Sequence, residues 1–440
     1  MTERAPLEAL RARLADGCAA VGIAGLGYVG LPLAVELARV GLQVTGIDLD
    51  AERVGSVQRG ESYVADVATD TVAELVRAGR LRATSAWDDA AALDAIVICV
   101  PTPFTANREP DLSFVRAAAA EVARRLRPGQ LVVLESTTYP GTTEEILLPL
   151  LAAGGLRVGQ DFALAYSPER VDPGNRHYHV ANTPKLVGGV TPVCTALAQA
   201  LYEKAVVKVV PVSSPRVAET AKLLENIFRN VNIALVNELA MLCDRMGVDV
   251  WEVVDAAATK PFGFMSFQPG PGVGGHCIPV DPVYLAWRAK ELDFDSSFVT
   301  RAAELNAGMP QFVADKAVRI LSRQGGDVRG RRVLVLGVSF KRDVADARNS
   351  SALDLMALLE ARGVEVSYHD PFVPRIRLGD RALASVALAP DVIAGADCVV
   401  IHTDHTMVDY EWVVTHARLV LDTRNATRDV RRGRTKVVRL

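Results

Sequence analysis

The sequence predicts an α/β chain with two doubly wound parallel sheets joined by a long central helix and a helical domain. Three observations carry this expectation. An apolar strand, a glycine turn, a helix and a second apolar strand follow one another from Val21 to Asp48. The same order recurs from Val333 to Asp370, and between the two an unbroken helical pattern runs from Pro215 to Met246.

The 440 residues correspond to about three domains at roughly 150 residues each, enough for several separate cores. Half the residues are hydrophobic, and 49 Lys+Arg against 52 Asp+Glu leave a net charge of -3. A nucleic-acid binder needs a basic excess to neutralise phosphates, and only Arg428 to Arg434 is locally basic, which reads as a solvated stretch. No apolar run approaches the roughly 20 residues of a membrane span. Residues 1–16 mix Glu, Arg and Asp with Leu at helical spacing, unlike a secretory signal. The cysteines at 18, 99, 194, 243, 277 and 398 contain no Cys-x-x-Cys pair, so neither a disulfide framework nor a zinc site is expected. His177 with His179, and His402 with His405, have no accompanying cysteine or carboxylate cluster, and no metal is assigned to them. The expectation is a cytoplasmic protein with reduced thiols, bound to neither nucleic acid nor membrane.

In the first repeat, Gly25-Leu26-Gly27-Tyr28-Val29-Gly30 lies between strand and helix, where a Rossmann-like fold holds a dinucleotide. Gly25 permits the tight turn, Gly27 lets backbone approach the pyrophosphate, and Gly30 allows helix and strand to pack closely. The helix N-terminus then faces the phosphates. Asp48, at the end of the second strand, is placed to accept hydrogen bonds from ribose hydroxyls, which favours NAD over NADP. Further strands at residues 95–100 and 131–134 end in Pro101-Thr102-Pro103 and Glu135-Ser136-Thr137-Thr138. Their hydroxyls are expected to line the cofactor crevice, which lies beyond the carboxyl ends of such strands.

The second repeat comprises a strand at 333–336, a turn at Gly337, a helix at 351–362, and strands at 364–370, 397–403 and 419–423. It lacks the three-glycine turn and has Gly337-Val338-Ser339-Phe340-Lys341 instead. A single nucleotide whose phosphates meet Lys341, Arg342 or Arg348 fits this better than a dinucleotide does. A structural copy with a solvated basic loop is the alternative.

The central helix carries Ala221, Leu224, Ile227, Val231, Leu235 and Leu242 at helical spacing. At 1.5 Å per residue it is about 45 Å long, the length of a domain linker or dimer interface. Lys222 and Asn226, four residues apart, share a face of it and taken alone read as solvated surface. Beyond it, Pro269-Gly270-Pro271-Gly272-Val273-Gly274-Gly275-His276-Cys277-Ile278-Pro279-Val280-Asp281 combines a glycine-rich backbone able to wrap a ligand with a thiol and, four residues on, a carboxylate. His276 adjoins Cys277, but neighbouring side chains diverge in extended chain, and it is not assigned as a base. A nicotinamide cofactor and a thiolate together permit oxidation of an alcohol past the aldehyde: the thiol forms a thiohemiacetal, oxidation gives a thioester, and water releases the acid.

The runs GLGYVGLPLA from Gly25, VPTP from Val100, ESTTYPG from Glu135, SPER from Ser167, AKLLEN from Ala221, GGHCIPVD from Gly274 and GVSFKRDVADARNS from Gly337 extend over nearly the whole chain. In this order and spacing the chain resembles the UDP-sugar 6-dehydrogenases, relatives of UDP-glucose dehydrogenase. The resemblance implies a four-electron oxidation of a sugar C6 hydroxyl at the expense of two NAD. It implies an NAD-binding domain over residues 1–212, a central helical dimerisation domain with the cysteine loop over 213–318, and a UDP-sugar-binding domain over 319–440. By the same resemblance Cys277 is the nucleophile, Lys222 stabilises oxyanions, Asn226 holds a water or the sugar oxygen, Asp281 acts with Lys222 in proton transfer, and Glu169 assists thioester hydrolysis. Thr102, Thr137, Arg53 and Arg348 match cofactor contacts beside Gly25 to Gly30 and Asp48. Glu169, Arg170, Lys222, Asn226, Gly274, Phe340 and Lys341 match contacts to the nucleotide sugar.

The UDP-glucose branch usually carries lysine where this chain has Val280, and a small residue where it has His276. Residues 107–111, SPERVDPGN from Ser167 and AATKPFGF from Ala257 are similar to the branch acting on UDP-N-acetylhexosamines. UDP-N-acetylglucosamine, oxidised for surface polysaccharide, is the favoured substrate, and its galacto and manno epimers and UDP-glucose remain open. A two-electron hydroxyacid or sugar-phosphate dehydrogenase without a thiol, and a non-catalytic nucleotide sensor, are the competing readings.

Overall fold

A computed structural model describes residues 6–105, 109–172, 174–175, 177–275 and 277–440. Asn107, Arg108 and His276 lie outside the described residues. The chain forms two compact units, Met1–Glu225 with Val283–Phe294 and Asn226–Pro282 with Asp295–Leu440. Among the described residues no helix is long and apolar enough to cross a membrane.

The first unit is built on strands β1 (Ala20–Ala24), β2 (Gln43–Ile47), β3 (Leu81–Thr84), β4 (Ala95–Ile98), β5 (Leu131–Leu134), β6 (Ala163–Tyr166), β7 (Lys185–Gly189) and β8 (Val209–Val212). They lie in the order β3-β2-β1-β4-β5-β6-β7-β8. Neighbours are parallel except β6 and β7. A parallel sheet is covered on both faces, which is why Ala95-Ile96-Val97-Ile98 and Leu131-Val132-Val133-Leu134 are continuously apolar and wholly buried. Helices Gly30–Arg39 and Pro192–Tyr202 help to cover it, burying Leu31, Leu33, Leu37, Leu197 and Leu201.

The second unit holds β9 (Arg332–Leu336), β10 (Glu365–His369), the hairpin strands β11 (Arg375–Leu378) and β12 (Arg381–Ala384), β13 (Cys398–Ile401), β14 (Val420–Asp422) and β15 (Val437–Arg439). The order β10-β9-β13-β14-β15 is parallel throughout and repeats β2-β1-β4-β5-β6 of the first sheet. Helices Ser297–Ser322 and Ser351–Glu360 pack on this second sheet in one apolar core with Val335, Val400 and Leu421.

The long helix spans Pro215–Met246, as its apolar pattern predicts. Ile227 is buried, but Leu224, Phe228, Leu235, Leu242 and Met246 form an exposed stripe in which Leu224 is 64% and Leu235 63% accessible. Their spacing of four and seven residues keeps them on one side of the helix.

Candidate functional site

The first glycine turn joins β1 to the helix Gly30–Arg39. Gly25 has φ +95°, and a Cβ there would lie 2.7 Å from the Cys99 carbonyl oxygen. A Cβ on Gly30 would stand 1.8 Å from the Gly25 carbonyl oxygen, so neither position admits a side chain. A Cβ on Gly27 would have nothing within 4 Å, leaving its backbone open to a ligand. No side chain caps the helix N-terminus, where the positive end of the helix dipole favours an anion. Leu26 is buried with its side chain over Gly46, while Tyr28 is exposed.

Asp48 is turned toward this loop. Leu26 N donates to its Oδ2 at 2.7 Å and Asp50 N to its Oδ1 at 2.9 Å, while Arg53 Nη1 stands 3.5 Å from Oδ2. Each oxygen keeps a second lone pair for a ribose hydroxyl. The Tyr63 hydroxyl, which sequence reasoning missed, donates to the Leu26 carbonyl at 2.6 Å. An open Gly27, two glycines that permit no Cβ and an acid fixed at the strand end together fit a dinucleotide. Thr102 and Thr137, beyond β4 and β5, are partly exposed. Ser136 differs from expectation: it is buried, and its hydroxyl donates to the Val100 carbonyl, fixing the loop instead of lining a crevice. Thr138 is buried as well. The Tyr284 hydroxyl holds the other side of the Val100–Pro103 loop through the carbonyls of Thr102 and Pro103.

Also in the first unit, Lys222 is only 7% exposed and donates to the Glu169 carbonyl oxygen at 2.5 Å. The solvated-surface reading of this lysine is thereby corrected, because its face of the helix packs against the loop after β6. The Glu169 side chain curls back so that its Oε1 accepts from Arg170 N and Val171 N. Burial opposes its ionisation, but the charge of Lys185, the Val171 amide and the charge of Lys222 help to outweigh it and hold the carboxyl below the usual range. Arg170 is paired with Glu225 at 2.7 Å.

The cysteine loop belongs to the second unit. Cys277 and Cys18 are exposed, whereas Cys99, Cys194, Cys243 and Cys398 are buried. Burial pushes the Cys398 thiol up to about 12, far from thiolate formation. The Cys277 carbonyl accepts from Val280 N and Asp281 N, a turn that starts the helix Asp281–Glu291. Asp281 and Asn226 are buried, and Asn226 Nδ2 donates to Asp281 Oδ2 at 2.5 Å. Asn226 is thus not on solvated surface either. Both flanks of the loop are tied to the long helix: Gly270 N donates to Asn237 Oδ1 at 2.9 Å and Asn230 Nδ2 to the Ile278 carbonyl at 3.2 Å. Asn306 bridges these asparagines, donating to the Asn230 carbonyl and accepting from Asn237 Nδ2. A helix that spaces amides at 226, 230 and 237 lines one face with hydrogen-bonding groups, a pattern visible only once the loop's position is known.

The glycines of this loop pack against protein. A Cβ on Gly272 would lie 2.8 Å from Ser351 Cβ, one on Gly274 2.8 Å from the Asn349 carbonyl oxygen, and one on Gly275 3.0 Å from the Phe340 ring. Close approach to the 340–351 segment therefore explains why they are glycine. In that segment Gly337 repeats Gly25: its φ is +81° and a Cβ would stand 2.3 Å from the Thr403 carbonyl oxygen. Asp370 repeats Asp48, accepting at Oδ2 from Val338 N, Ser339 N and the Ser339 hydroxyl, with His405 Nε2 3.1 Å away. Burial opposes its ionisation, but His405 and the backbone amides hold it well below the carboxylate range. Its other oxygen takes Phe372 N and Val373 N, so this acid is saturated by the protein, in line with a sheet not built for a dinucleotide. Lys341 is half-buried, Arg342 pairs with Asp404, and Arg348 pairs with Asp346 at 2.7 Å.

Three regions match one protein family. Residues 19–206 match the NAD binding domain of the UDP-glucose/GDP-mannose dehydrogenase family, residues 216–308 its central domain and residues 334–429 its UDP binding domain. Among relatives, a UDP-N-acetyl-D-glucosamine 6-dehydrogenase of Pseudomonas aeruginosa is 38% identical over 355 residues, 80% of this chain and 83% of that protein. The solved structure of a UDP-D-ManNAc dehydrogenase of Pyrococcus horikoshii superposes with a TM-score of 0.85 at 34% identity, covering 92% of this chain and 96% of that one. An NDP-N-acetyl-D-galactosaminuronic acid dehydrogenase of Methanosarcina mazei gives a TM-score of 0.83 at 30% identity, with 100% and 98% covered.

Proposed function

On the premise that the chain belongs to the UDP-glucose/GDP-mannose dehydrogenase family and is an NAD-dependent UDP-sugar dehydrogenase, we propose that it oxidises the C6 hydroxyl of UDP-N-acetylglucosamine to the uronic acid through a covalent intermediate on Cys277. The observation that carries this reading is the exposed Cys277 in a loop tied down at Gly270 and Ile278, one turn before the buried Asn226–Asp281 pair. A structural cysteine needs no such anchoring, whereas a nucleophile does.

Bound NAD supplies the hydride acceptor for each of the two oxidations. Gly25 to Gly30 and Asp48 hold it, with Arg53, Thr102, Thr137 and Arg348 as further contacts. Lys222 and Asp281 take up the hydroxyl proton and stabilise the oxyanion, and Asn226 orients the oxygen or a water. Cys277 Sγ bonds to the aldehyde carbon as a thiohemiacetal, then carries the thioester that water cleaves with Glu169 as base. Phe340, Lys341, Gly274 and Arg170 contact the nucleotide sugar. The functional segments run over residues 1–212, 213–318 and 319–440, and two copies associate through the exposed stripe of the long helix. The protein acts in a reducing cytoplasm, in the supply of surface polysaccharide.

Val280, buried where the UDP-glucose branch carries a lysine, and the N-acetylhexosamine names of the relatives above support an N-acetylhexosamine over glucose, and the gluco epimer follows the name of the Pseudomonas aeruginosa relative alone. A panel of UDP-sugars assayed for NADH tests it. UDP-N-acetylglucosamine is expected to give the highest kcat/KM; preference for UDP-glucose, or no NADH with any sugar, would overturn the substrate or the enzymatic reading respectively.

A further inference from the structure

A second set of ionisable groups lies behind Glu169, wholly within the first unit. Glu135, at the end of β5, is 1% exposed; Lys185, in β7, 4%; and Tyr202, closing the helix Pro192–Tyr202, is fully buried. Lys185 Nζ lies 2.6 Å from Glu135 Oε1 and also donates to the Pro168 carbonyl, while the Tyr202 hydroxyl donates to Glu135 Oε2 at 2.6 Å. The same ammonium stands 3.6 Å from Glu169 Oε2, and Lys222 is held by the Glu169 carbonyl. A continuous line of contacts therefore joins Tyr202 to Lys222 through Glu135, Lys185 and Glu169.

At its centre the two carboxylates of Glu135 and Glu169 share the Lys185 ammonium, and a buried net charge is expensive. Lys222, on the far side of Glu169, supplies the second positive charge. A packing role would need neither the second carboxylate nor its proximity to Glu169.

We propose that Glu135, clamped by Lys185 and Tyr202, is a positioning residue of the oxidation: it orients Glu169 through Lys185, and its own gain and loss of a proton sets the strength of Glu169 as a base. The inference rests on the reading of Glu169 as the base for thioester hydrolysis. In that step a water gives one proton to Glu169 and its oxygen bonds to the thioester carbon. The carbon–sulfur bond breaks, the sulfur leaves as thiolate and takes up a proton, and the acid is released as carboxylate.

The groups facing Glu135 are Lys185 from β7, Glu169 from the loop after β6, Tyr202 from its helix, and the Cys99 thiol beyond β4. Burial pushes the Glu135 carboxyl up to about 7 against the pull of Lys185, so it changes charge near neutrality. The sign follows: above that pH a second negative charge raises the basicity of Glu169, and hydrolysis quickens by about threefold to tenfold.

The test uses the full-length enzyme and Glu135→Gln, which keeps the shape and removes the proton change. Hydrolysis of the acyl-enzyme is followed in a single turnover by intact mass across about pH 6 to pH 8. The wild-type rate is expected to rise through this range and the variant to stay at the low-pH plateau; superimposable profiles overturn the proposal. A readout independent of turnover is the infrared carboxyl stretch, whose protonated band should fade over the same pH range in the wild type and not in Glu135→Gln. Identical infrared titrations overturn the proposal even if no UDP-sugar is oxidised, whereas a normal titration without NADH formation overturns only the enzymatic reading.

Discussion

Gly27 and Gly30 are both glycine for opposite reasons, and substitution separates them. A methyl at Gly30 collides with the Gly25 carbonyl, whereas one at Gly27 meets nothing in the protein. Gly30→Ala is therefore expected to lower stability by about 1–3 kcal/mol through overpacking. Gly27→Ala should unfold at the wild-type temperature yet raise the KM for NAD by about tenfold or more, through a group placed where the pyrophosphate approaches. Thermal melts with NAD titrations check both, and a destabilised Gly27→Ala with normal KM would contradict the cradle. At this scale the glycine turn was legible in the sequence, because its spacing between strand and helix is local. The burial of Lys222 and Asn226 was not, because it depends on Glu169 and Asp281, 53 and 55 residues away, and only the resemblance singled these two residues out.

The elements divide in the same way. The helix Pro215–Met246 and the apolar strands of both sheets follow from periodicity and continuous hydrophobic runs. β7 was hidden because Lys185 stands at its start, a lysine tolerated inside a sheet only by its pairing with Glu135. The hairpin β11–β12 was hidden because its strands, Arg-Ile-Arg-Leu and Arg-Ala-Leu-Ala, are only four residues each. On the long helix, the proposed association of two copies through the exposed stripe is open to test by a single substitution. Leu235→Arg is expected to turn a dimer into a monomer in light scattering after size exclusion, and an unchanged mass would place any interface elsewhere. In the second unit, His402 is buried beside Ser351, and burial together with Arg424 pushes it down to about 3. The unfolded chain binds its proton near pH 6.5, so this contribution to stability is complete above that pH and is lost as pH falls toward 3. At pH 5 the loss is about 2 kcal/mol. His402→Gln should flatten the slope of thermal stability between about pH 4 and 6.5, and parallel slopes for variant and wild type would contradict this.

Across the whole chain, two parallel sheets carry the same turn and the same acid, but only one pair is left open. Gly25 with Asp48 leaves lone pairs and a free backbone; Gly337 with Asp370 is filled by His405, Ser339 and four backbone amides. The sequence showed the repeat and the missing glycines. The saturation of Asp370 depends on His405, 35 residues on, and could not be read from it. The proposed four-electron oxidation through Cys277 is tested by counting the NADH formed per UDP-N-acetylglucosamine consumed, in the wild type and in Cys277→Ala. The expected result is two NADH per sugar with the acid as product, and no acid from the variant. One NADH per sugar, or acid formed by Cys277→Ala at the wild-type rate, would contradict it.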